Sequence, residues 1–175
     1  MNTELVIKNE ITINAPALMV WDALTNPAQT AKYMFGCKII SDWKVGSPLI
    51  WKGPVTWEKD EVILKGNIVD IQVGELLVYT EIDPNNPAVK DVPENYLTVV
   101  YSLVEKNNRT TLTVVVGDYS TVSDGENRYK EAHQNGEGWK PVLAQIKRML
   151  EPKVVLSEMF APIQHKELDI LAERI

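Results

Sequence analysis

The chain has 175 residues, 45% hydrophobic and 24% charged, which is the composition of an ordinary globular domain rather than a disordered one. At about 150 residues a chain can bury roughly 70% of its unfolded surface, so a sizeable single core is available. A formal net charge of -6, from 18 basic and 24 acidic residues, supplies no cationic field for nucleic acid or anionic lipid.

The opening MNTELVIKNE places Glu4 and Lys8 ahead of any apolar run of signal-peptide length, so secretion by that route is not expected. No stretch approaches the roughly 20 apolar residues that a membrane span needs. The single Cys37 cannot form an internal disulfide, and the expected location is the cytoplasm. Residues 5–14 alternate, with Leu5, Ile7, Ile11 and Ile13 on one face, and predict a half-buried strand. The period then changes. In APALMVWDALTNP, Leu18, Trp21 and Leu24 fall at helical spacing, Pro16 suits a first turn, and Asn26-Pro27 ends the helix. A second short helix is predicted from Pro27 to Phe35.

Six short strands follow, near 38–40, 48–51, 62–73, 76–82, 96–105 and 110–116. Gly66 interrupts the third of these and predicts a bulge or sharp curl, hence a curved sheet. Tight turns are predicted at Val73-Gly74-Glu75 and at Asn107-Asn108, so neighbouring strands run antiparallel. The segment DPNNPAVKDVPEN reads as an exposed connection. Beyond Gly125, Trp139, Leu143, Ile146 and Leu150 recur at helical spacing, predicting an amphipathic helix from about Asn127 to Pro152. About 24 residues at 1.5 Å each would span roughly 36 Å. Gly136, Gly138 and Pro141 make QNGEGWKP its weak point, where a kink or a break into two helices is expected.

This order of elements resembles the helix-grip architecture of birch-pollen-allergen-like and START-like (SRPBCC) proteins. The fold expected is α+β, with a curved antiparallel sheet of about six or seven strands wrapped around a long C-terminal helix and two short helices after the first strand. Three segments narrow the resemblance. INAPALMVWDALTNP, GNIVDIQVGELLVYT and GWKPVLAQIKRMLE are similar, in order, to the opening, the hairpin and the terminal helix of the activator of heat-shock protein 90 ATPase homologue family. Together they cover roughly residues 5 to 151. The expected division is therefore a START-like domain at 1–151 and a C-terminal extension at 152–175, with Ile163, Leu168 and Leu171 on a short helix. The chain departs from the family at KYMFG, at Thr80-Glu81 where tryptophan is common, in the proline-rich insert and in the tail.

The resemblance implies a cavity between the sheet's concave face and the long helix. Candidates to line it are Trp51, Tyr79, Val99 and Tyr101 from strands and Trp139, Leu143 and Ile146 from the helix, with Met34 and Phe35 closing one end. Each of these also reads as core. Size separates the two readings, because an empty apolar pocket of about 300 Å³ would cost roughly 7 kcal/mol at 24 cal/mol/Å³.

His133, ahead of Gly136 and Trp139, is the weak catalytic candidate as an acid or base at the cavity mouth. With His165 and Cys37 it makes no metal-ligand spacing, and nucleophile elbows, phosphate loops and dinucleotide fingerprints do not occur, so neither metal nor cofactor is expected. Glu58, Asp60 and Glu61 read as a solvated turn, and Trp43 with Trp57 as either core or an exposed docking patch. Three functions stay open, in this order: a domain binding a small apolar or amphipathic molecule, an interaction domain for a chaperone or other protein, and a cyclase- or hydrolase-like enzyme using the same cavity.

Overall fold

A computed structural model describes residues 4–56 and 59–151. The chain runs through β1 (Ile7–Ile13), α1 (Ala17–Thr25), α2 (Pro27–Tyr33), β2 (Lys38–Ser41), β3 (Pro48–Thr56), β4 (Lys59–Gln72), β5 (Leu76–Glu81), β6 (Leu97–Lys106), β7 (Arg109–Gly117), α3 (Gly125–His133) and α4 (Lys140–Leu150). The seven strands form one antiparallel sheet in the order β1-β7-β6-β5-β4-β3-β2. Strands β2 to β7 are a meander, and α1 and α2 carry the chain from the β1 edge to the opposite one. This is the helix-grip arrangement expected from the order of elements.

Curvature comes from the long strand β4. Its register against β5 slips between Ile68 and Asp70, and against β3 between Trp51 and Lys52. Gly66 lies so close to β5 that a Cβ there would sit 1.6 Å from the Thr80 carbonyl oxygen. Only glycine lets the two backbones approach this closely as the sheet curls. At the β6–β7 hairpin Asn107 and Asn108 both take left-handed φ angles, 54° and 58°, as a tight two-residue turn requires.

The second short helix stops at Tyr33, two residues before the expected end, and Phe35 turns away at φ 53°. The expected long helix breaks at its weak point. Gln134, Asn135, Gly136 and Gly138 all have positive φ, leaving α3 with 9 residues and α4 with 11. Gly138 also presses on β1, where a Cβ would meet Asn9 Oδ1 at 2.6 Å, and the next amide, Trp139 N–H, donates to that oxygen at 2.8 Å. At its far end α4 is held to β1 by Lys147 Nζ, which donates to the Thr12 carbonyl at 2.6 Å, and by Glu151, which accepts from the Asn14 amide at 2.9 Å.

Leu143 and Ile146 of α4 are buried against the concave face with Ile13, Leu77, Val99, Leu112 and Val114. Each such side chain contributes about 1.5–3 kcal/mol relative to exposure. Trp43 packs half-buried against this core, while Trp57 and Glu58 lie outside the described residues, as does the 152–175 tail. The proline-rich connection is less exposed than expected. Val89 and Asn95 are buried, and Asn95 ties the segment to the start of α3 by donating to the Lys90 carbonyl at 2.9 Å and accepting from the Ser123 amide at 3.0 Å. No helix among the described residues is long and apolar enough to cross a membrane.

Candidate functional site

Alternation along β5 turns Leu77, Tyr79 and Glu81 to the concave face, while Thr80 faces the other side beside Asn67. The middle of that face is filled by large side chains. Tyr79 and Tyr101 are fully buried, their hydroxyls 3.1 Å apart and their rings edge to face at 5.7 Å, and Trp139 packs edge-on against Tyr101 at 5.9 Å. Burial raises both tyrosines well above the usual phenol range. Trp51, Val99, Leu143 and Ile146 belong to the same buried cluster, so seven of the nine expected lining residues meet there. Met34 is half-buried at its edge. Phe35 does not join them. It is 89% exposed, in a shallow groove of about 220 Å³ with Tyr33, Pro141 and Val142.

Where the alternation reaches Glu81 the face opens. Glu81, paired in register with Leu97, borders a recess of about 310 Å³ beneath α3. Leu64, Ile82, Leu97, Tyr119 and Ala132 supply apolar wall, and Arg128, Glu131, Asp83 and Asn86 supply polar edge. Burial pushes the Glu81 carboxyl up to about 7, with the Arg128 guanidinium pulling it back down. Among the described residues no hydrogen bond or ion pair holds that carboxyl, whereas Arg128 is anchored, its NH1 donating to the Asn95 carbonyl at 3.2 Å and the Ser123 carbonyl at 3.3 Å. Tyr119 is raised by burial and further by the Glu81 charge. A carboxyl poised near neutral pH can give or take a proton, and it faces the recess directly.

His133 lies elsewhere. Its Nδ1 accepts from the Gly136 amide at 3.1 Å, capping the turn after α3, and its ring stacks on Tyr129 at 5.0 Å. It borders a separate recess of about 180 Å³ against Val6, Ile7, Lys8 and Asn9. Sequence reasoning passed over Glu81, Tyr119 and Arg128 as site residues. The signal for Glu81 was present as its departure from the family pattern and as its place two residues beyond Tyr79 on one strand face.

Residues 14–151 match the family described as Activator of Hsp90 ATPase homolog 1-like protein. The solution structure of a Cytophaga hutchinsonii protein is similar at 32% identity and TM-score 0.64, covering 86% of this chain and 96% of that one. An HSP90 activator from Plasmodium falciparum shares the fold at 16% identity and TM-score 0.58, covering 83% of this chain and 95% of that one. A protein of the dynemicin biosynthetic locus does so at 17% identity and TM-score 0.60, covering 85% of this chain and 48% of that one. No curated protein matches significantly in sequence. With the match running from α1 through β2–β7 to the end of α4, the chain belongs to the activator of Hsp90 ATPase homolog 1-like family.

Proposed function

We propose that this protein is a START-like binding domain that takes a small amphipathic molecule at the recess beneath α3. The observation that carries the reading is the recess itself, an open space of about 310 Å³ with mixed apolar and polar lining and, among the described residues, a carboxyl at Glu81 that no hydrogen bond holds. That volume lies at the lower end of small-molecule sites, about 300–1,000 Å³. Native mass spectrometry of the purified protein, followed by thermal-shift measurements with short-chain amphiphiles, tests it. A bound small molecule or a ligand-induced shift is expected, and Ala132→Trp, which fills the recess from the helix side, should abolish the shift while leaving the circular dichroism spectrum intact. If wild type carries no molecule and shifts with none of the amphiphiles, the reading fails.

A second reading, a protein-interaction domain with a chaperone or other partner, is favoured by one specific feature. Phe35 is 89% exposed, and Leu18 and Met19 of α1 are also exposed. Phe35→Ser should weaken capture of a chaperone from the host extract if that surface docks one, and unchanged capture would remove Phe35 from the reading.

A further inference from the structure

We infer that the recess selects a cationic head group, an ammonium or quaternary ammonium on a short apolar chain. This deepens the binding reading above and rests on it.

The polar edge carries three carboxylates, Glu81, Asp83 and Glu131, against one guanidinium, Arg128. Arg128 already has two backbone carbonyls as partners, and Asp83 is partly satisfied by accepting from the Asn85 amide at 2.8 Å. Glu81 has no such partner among the described residues. Ionised, it adds to Asp83 and Glu131 to leave the recess with more negative than positive charge, which an entering cation would offset. An anionic head group would meet three acids, and a neutral one would leave Glu81 uncompensated at a cost. Tyr119 places an aromatic ring in the same lining, a residue type that cations favour.

Proton linkage follows from the surroundings of Glu81. The groups around it are Arg128 and Glu131 of α3, Asp83 just beyond β5, Tyr119 after β7, and Tyr79 and Tyr101 beneath it. Of these only Arg128 favours its ionised form. A bound cation adds to that pull, so binding below neutral pH expels the proton from Glu81 and binding strengthens as the pH rises.

Isothermal titration of the full chain with octyltrimethylammonium, octanol and octanoate tests the inference. At pH 8 the cation should bind roughly tenfold or more tighter than the other two, and it should lose roughly tenfold on going to pH 6 as Glu81 takes up its proton. Glu81→Gln should erase both the preference and the pH dependence while octanol binding persists. Equal binding of octanoate or octanol, or a Gln variant that keeps the preference, overturns the cation inference alone. Failure of all three probes to bind sinks the binding reading, and this inference with it.

Discussion

Replacing Glu81 with Gln keeps the shape of the side chain and removes its titration, which isolates what burial of this carboxyl does to stability. A carboxyl displaced from 4.5 to about 7 carries about 3 kcal/mol of linkage. That is an upper figure, since the residue is only half-buried and keeps contact with solvent through the recess. Between these values the folded protein holds a proton that the unfolded chain has lost. The contribution of Glu81 is therefore most favourable below about pH 4.5, falls as the pH rises through the window, and levels off above about 7. Urea unfolding followed by tryptophan fluorescence at several pH values should find Glu81→Gln close to wild type in acid and up to about 3 kcal/mol more stable at pH 8. Asp118, held low by hydrogen bonds from Ser120, and Glu151, held low by Lys147, weaken the fold in acid, but they do so in both proteins and cancel in the difference. A stability difference that does not change with pH would mean that the carboxyl is solvated as in an unfolded chain, and the reasoning about the recess would fall with it.

Gly66→Ala should be among the most damaging single changes, because its Cβ would fall 1.6 Å from a backbone oxygen of β5 and one strand must move. A loss of at least about 3 kcal/mol is expected in thermal unfolding, and a near-neutral result would show that the strands do not approach as described. Tyr79→Phe leaves the buried Tyr101 hydroxyl without its partner at 3.1 Å and should cost about 1–3 kcal/mol. The double variant Tyr79→Phe/Tyr101→Phe should recover part of that loss in the same assay, because both hydroxyls are then gone, and strictly additive losses would contradict the pairing.

Most of the scaffold was legible in the sequence because its signals are local. Period-two runs locate the strands to within a few residues, Gly66 marks the curl, and Asn107-Asn108 marks a hairpin whose φ angles few other residues tolerate. The break between α3 and α4 was legible for the same reason, since Gly136 and Gly138 weaken the helix and Pro141 suits the first turn of a new one. The recess was not. Alternation says that Glu81 shares a face with Tyr79, but not that α3 crosses above it, and Arg128 is aimed there only because Asn95, in a loop read as exposed, is buried and offers its carbonyl. Phe35 misled for a related reason. A helix continued through it would have turned it inward, whereas the chain leaves α2 at Tyr33 and swings it into solvent.

On the proposed reading, the aromatics of the concave face and the recess under α3 divide two tasks that a single apolar cavity would set against each other. An empty apolar cavity of about 300 Å³ would cost roughly 7 kcal/mol, comparable with the whole stability of a domain. Tyr79, Tyr101 and Trp139 instead fill the middle of the face and join its core to α4 through edge-to-face contacts. The open space lies at the strand end, where Glu81, Asp83, Arg128 and Glu131 let water occupy it at little cost. A ligand entering there displaces that water and gains apolar wall without any rearrangement of the core. Changes in the aromatic cluster should therefore lower stability with little effect on ligand preference, whereas Glu81→Gln should change the preference and, above neutral pH, raise stability.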